Sequence, residues 1–130
     1  MQHYDVIHIE DLEDLRGTVE QAMSRRALIY RGVGSLQEFE ELLKDTRATV
    51  YLLDGEFPQK PGENPSLLVG EAIKQTRQSD PEAKNIWVLS TRESARGIAE
   101  ENDARYIDEM KVAKHGLDGM IKEIQDLKNQ

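Results

Sequence analysis

Short apolar runs alternate with longer amphipathic ones along the whole chain, and this alternation is what most limits the fold. YDVIHI (Tyr4–Ile9), ALIY (Ala27–Tyr30), TVYLL (Thr49–Leu53), NIWVL (Asn85–Leu89) and RYID (Arg105–Asp108) read as strands. Between the first two, DLRGTVEQAMSRR (Asp14–Arg26) spaces Leu15, Val19 and Met23 at helical intervals. Gly32 and Gly34 then read as a turn. Ser35 and Glu38 form an S-x-x-E capping box ahead of a helix that buries Leu36, Phe39, Leu42 and Leu43. Asn64-Pro65 supplies a cap and a first-turn proline for a helix through Leu68, Ala72 and Ile73. Thr91 or Ser94 caps the next helix, which runs towards Glu101 with Asn102 as its left-handed C-cap. A last helix covers roughly His115 to Leu127.

Five strands separated by five helices imply right-handed crossovers and a parallel sheet. The expected fold is a flavodoxin-like, doubly wound five-stranded sheet with helices on both faces, in one domain over residues 1–130. Composition narrows the function. The chain has no cysteine, so disulfides, thiolate nucleophiles and zinc-thiolate sites are excluded together. A formal charge of −8 disfavours a nucleic-acid surface, which needs clustered Lys and Arg, but suits a divalent cation or a basic protein partner. No apolar run reaches membrane-spanning length, and the N-terminus lacks the layout of a signal peptide. The expectation is a cytoplasmic protein that contacts neither membrane nor nucleic acid.

In a doubly wound sheet, ligands bind beyond the carboxyl ends of the strands. There the sequence places Glu10 and Asp11 after the first strand, Asp54 after the third, Ser90 and Thr91 after the fourth, and Glu109 and Lys111 after the fifth. The first and third strands are neighbours at the switch point, so Glu10, Asp11 and Asp54 converge. Three carboxylates in one crevice repel one another unless a cation sits among them, and hard oxygen ligands suit Mg²⁺.

VIHIEDLEDLR (Val6–Arg16), YLLDGEFP with Pro58 four residues after Asp54, and WVLST (Trp87–Thr91) resemble the receiver domain of bacterial response regulators, in that family's order and near its spacing. The resemblance spans essentially the whole chain. It implies a non-enzymatic signalling phosphoprotein of a two-component system. Asp54 would be phosphorylated by a partner histidine kinase or phosphotransfer protein, and a downstream protein would read the result. Glu10, Asp11, Asp54 and the Glu56 backbone carbonyl would hold Mg²⁺. Ser90 would contact the phosphoryl group, and Tyr106 would be the switch aromatic.

The chain departs from that pattern after the fifth strand. With Tyr106 on the family's aromatic, Glu109 falls where the family has lysine, and no proline follows. Lys111 is the expected phosphoryl-binding ammonium, looped back into the pocket, because a fourth carboxylate would add uncompensated repulsion. Were Glu109 to face Asp54 instead, a pseudo-receiver acting through phosphate-independent protein contacts would be the better account. A metal-dependent phosphotransfer or nuclease domain, using Asp54 and Glu56 as a D-x-D-like pair, is a further alternative. It lacks the glycine expected after its first-strand Glu. Trp87 is expected in the core; His3, His8 and His115 have no ligand spacing; Glu13 and Asp14 belong to a solvated helix face.

Overall fold

The computed structural model describes residues 1–130. Strands β1 (Gln2–Ile9), β2 (Tyr30–Val33), β3 (Thr46–Asp54), β4 (Ile86–Ser90) and β5 (Arg105–Asp108) form one parallel sheet in the order β2-β1-β3-β4-β5. This is the doubly wound arrangement expected from the alternation, with its switch point between β1 and β3. Helices α2 (Leu36–Leu43), α3 (Val69–Ser79) and α4 (Glu93–Glu101) pack on one face, sharing a core with Ile7, Ile9, Tyr51, Leu53 and Val88. On the other face α1 (Glu13–Ser24) and α6 (Asp118–Lys128) enclose Val6, Val50, Leu52, Trp87 and Leu89. Successive strand residues point to opposite faces, so the central strands are apolar on both sides and read as continuous runs. Trp87 is in the core, 3% exposed.

Several boundaries differ from the sequence expectation. The second strand is Tyr30–Val33, not Ala27–Tyr30. Ala27 sits in the left-handed region (φ 58°), and the Leu28 N–H reaches back to the Met23 carbonyl at 3.0 Å. That closes α1 as a Schellman-type turn, with Leu28 packed beside Met23, so part of ALIY is used to leave the helix. Gly32 is therefore a strand residue paired with His8 rather than part of a turn. The Ser35 box forms as expected: Ser35 Oγ accepts from the Glu38 N–H at 3.2 Å.

Asn64-Pro65 does not begin a helix. Phe57 and Ser66 exchange two backbone hydrogen bonds, each 3.1 Å, which holds the intervening residues as a loop and delays α3 to Val69. The same loop offers the Pro58 and Gln59 carbonyls to the Leu36 and Gln37 N–H groups, so it is tied to the start of α2. Neither Thr91 nor Ser94 caps α4; Arg92 stands at its N-cap without a side-chain bond. The left-handed residue after α4 is Asp103 (φ 54°), not Asn102. There are six helices: α6 is the expected last one, and α5 (Glu109–His115) is an additional helix directly after β5. Gly116, at φ 81°, breaks the two apart.

Candidate functional site

Strand register builds the site. Ile9 pairs with Leu53, so Glu10 and Asp54 stand side by side one step beyond, at the carboxyl ends of β1 and β3. Asp54 is in turn beside Leu89, which places Ser90 at the next strand end. Oxygens of Glu10, Asp11 and Asp54 lie within 4.8 Å of one another. They open into a crevice of about 280 Å³ that Glu56, Ser90, Arg92 and Glu109 also line. Glu13 and Asp14 are exposed and lie outside it, as expected for the first turn of α1.

The immediate contacts fix each group. Glu10 is 4% exposed; its Oε1 accepts from the Leu12 N–H at 3.1 Å. Asp54 Oδ1 accepts from the Gly55 N–H at 2.8 Å. Gly55 is required for close approach: a Cβ there would lie 2.6 Å from Ser90 Oγ and 3.1 Å from the Ala95 Cβ. The buried Ser90 hydroxyl accepts from the Arg92 N–H at 3.1 Å, and the Tyr106 hydroxyl donates to the Ser90 carbonyl at 2.5 Å. Tyr106 is thus anchored on the strand end that carries Ser90.

Burial first, and the neighbouring Asp54 charge second, push the Glu10 pKa up to about 8. Asp54 is pushed up to about 6 by burial; the Gly55 N–H and a bond from Glu10 oppose this, while Glu109 and Asp11 add repulsion. The two carboxyls therefore retain a proton between them, with Glu10 raised the further of the two. Burial raises Glu109 as well. A crevice that retains a proton near neutral pH is short of positive charge. Its donors are hard oxygens, so the residues present fit a small divalent cation such as Mg²⁺.

The expectation for Lys111 is not met. Asp108 Oδ1 accepts from the Met110 N–H at 3.0 Å and starts α5 at Glu109. Two residues on, Lys111 is rotated by about 200° around the helix. It is exposed and lines a separate groove with Arg96, Arg105 and Tyr106, whereas Glu109 lines the acidic crevice.

Two arginines not singled out from the sequence also belong here. Arg92, two residues beyond Ser90, pairs with Glu56 at 3.2 Å on the crevice rim. Arg16 donates to the Glu10 backbone carbonyl at 2.5 Å. Side chains at Gly34 and Gly32 would collide with Arg16, since a Cβ there would come within 2.8 Å of its Nη1 and 3.1 Å of its Cδ. Position after a strand end could have flagged Arg92; nothing in the spacing marks Arg16.

No protein-family model and no curated protein matches the sequence. Among solved structures, the response regulator protein TrrA from Thermotoga maritima, in complex with Mg²⁺ and BeF, is similar over 98% of this chain and 99% of its own, with a TM-score of 0.69 at 15% identity. The receiver domain of Francisella response regulator 1452 aligns over 95% of both chains, with a TM-score of 0.71 at 13% identity. A Burkholderia pseudomallei response regulator carrying a phosphorylated aspartic acid, a calcium ion and citrate aligns over 100% of this chain and 76% of its own, with a TM-score of 0.65 at 16% identity. The chain therefore has the fold of response-regulator receiver domains.

Proposed function

We propose that the chain is a phosphoacceptor receiver domain of two-component signalling, charged on Asp54 by a histidine kinase or phosphotransfer protein and read by a downstream protein. The observation that carries this is the meeting of Glu10, Asp11 and Asp54 within 4.8 Å at the switch point of a receiver fold. Glu10, Asp11, Asp54 and the Glu56 carbonyl would hold Mg²⁺, which when bound supplies charge neutralisation of the transferring phosphoryl oxygens. The Asp54 carboxylate oxygen attacks phosphorus, and the donor's bond to phosphorus breaks with its electron pair leaving on the donor. The product is an acyl phosphate, beside which Ser90 presents its hydroxyl. Phosphorylated aspartate and bound Mg²⁺ or calcium in structures of the same fold support this assignment.

Glu109 in the crevice, with Lys111 outside it, favours a second reading. A pseudo-receiver would keep the fold and the acidic pocket but act through protein contacts independent of phosphate. The placement of Lys111 removes the ammonium-based readout from the first reading. Metal-assisted uptake on Asp54 does not need that ammonium. Incubation with Mg²⁺ and acetyl phosphate, followed by intact-mass measurement, decides between them. One added phosphoryl group, absent with EDTA and absent in Asp54→Asn, supports the phosphoacceptor. An unmodified mass under conditions that label an ordinary receiver overturns it in favour of the pseudo-receiver.

A further inference from the structure

A second cavity, of about 250 Å³, lies between α1 and α5 and is not used by the chemistry proposed for Asp54. Leu15, Val19, Leu89, Val112 and Leu117 make its walls predominantly apolar. His8 and Glu109 line it too. His8 is 1% exposed, and its Nδ1 lies 2.7 Å from the Tyr30 hydroxyl.

The tautomer follows from Tyr30. The Tyr30 hydroxyl carries one hydrogen, and His8 Nδ1, at 2.7 Å, is its one partner in the chain. Nδ1 therefore accepts, and Nε2 carries the imidazole hydrogen. No protein atom accepts from Nε2, yet no fully buried side-chain nitrogen or oxygen lacks a partner. The Nε2–H accordingly reaches into the cavity that His8 lines. At the cavity wall this donor can be met by water, and a ligand that displaces the water and supplies an acceptor in its place gains specificity.

We propose that this cavity binds a small hydroxylated apolar molecule of about the size of phenol, its ring on the Leu and Val walls. The ligand oxygen accepts from His8 Nε2–H, and its O–H donates to the Glu109 carboxylate. Size supports the class: an apolar cavity of about 150 Å³ takes benzene, so the larger volume here takes a ring with one polar substituent. The site stands whether or not Asp54 accepts phosphate.

Titrating the ¹⁵N-labelled full chain with phenol, followed by amide correlation spectra, tests it. Saturable shifts are expected at Thr18, Val19, Val112 and Leu117. Benzene, which lacks the hydroxyl, should bind about tenfold more weakly. Leu117→Trp, which fills the cavity, should abolish saturation. Non-saturating drift spread over the surface, or saturable binding that survives Leu117→Trp, would overturn the site. Equal affinity for benzene and phenol would overturn the ligand class, and that comparison uses the unaltered protein.

Discussion

Raising the pH from 6.5 to 8 in the absence of divalent cations should destabilise the protein, and Glu10→Gln should remove the effect. The sign follows from proton linkage. Glu10 is raised from its usual 4.5 to about 8 in the folded chain, so its contribution is fully present below 4.5 and is lost as pH rises through 8. His8 works in the opposite sense: lowered from 6.5 to about 3, it favours the folded state above 6.5 and opposes it as pH falls towards 3. The two cancel between 4.5 and 6.5, where Asp54, raised to about 6, also titrates. Above 6.5, His8 and Asp54 complete their titrations with small contributions of opposite sign, and Glu10 dominates. Over about 1.5 pH units, at about 1.4 kcal/mol per unit, the loss is roughly 2 kcal/mol. For a chain of this length, that lowers Tm by roughly 6–10 °C. Thermal unfolding followed by circular dichroism in EDTA, at half-unit steps across the window, measures it. A parallel series in Mg²⁺ should be nearly flat, because a cation bound to the folded state favours the ionised acids. A flat or rising Tm in EDTA, or an unchanged slope in Glu10→Gln, would refute the assignment of the higher pKa to Glu10.

Asp11→Asn should weaken Mg²⁺ binding by about tenfold or more in calorimetric titration, while Glu13→Gln and Asp14→Asn change it by less than about twofold; equal losses would mean that the ion merely condenses on an acidic surface. Gly55→Ala should cost about 1–3 kcal/mol in chemical denaturation, because the new methyl meets Ser90 Oγ at 2.6 Å and α4 at Ala95. Glu109→Gln should lower the Asp54 pKa read by carboxyl ¹³C shifts, since the Glu109 charge helps raise it, whereas Lys111→Ala should leave it in place. A shift on Lys111→Ala and none on Glu109→Gln would restore the lysine to the crevice.

What was legible in the sequence is what depends on period and on strand ends. Apolar runs such as Thr49–Leu53 mark buried strands in any parallel sheet, and the sheet order then forces Glu10, Asp11 and Asp54 together. What was not legible depends on how elements finish. Nothing in ALIY shows that Ala27 takes a left-handed conformation to close α1, which moves β2 three residues along. Asn64-Pro65 carries a sound helix-start signal, yet the Phe57–Ser66 bridge overrides it through contacts no local pattern contains. The same holds after β5. Lys111 was expected in the crevice on grounds of charge, but the Asp108 cap fixes the phase of α5, and phase decides which side chain points inward.

That phase changes how a phosphoryl group on Asp54 could be sensed. Arg92 lines the crevice and Arg16 holds the Glu10 backbone, and they are engaged by the Glu56 carboxylate and the Glu10 carbonyl. On the phosphoacceptor reading, the incoming group adds negative charge beside Glu109, with the Ser90 hydroxyl as a neutral donor. Glu109 must then take up a proton or withdraw. Withdrawal is the easier course, because α5 is a seven-residue helix with no fully buried residue, and only its Val112 packs against the core. An ammonium at this position would report phosphorylation by being drawn in. A carboxylate would report it by being driven out, carrying α5 with it.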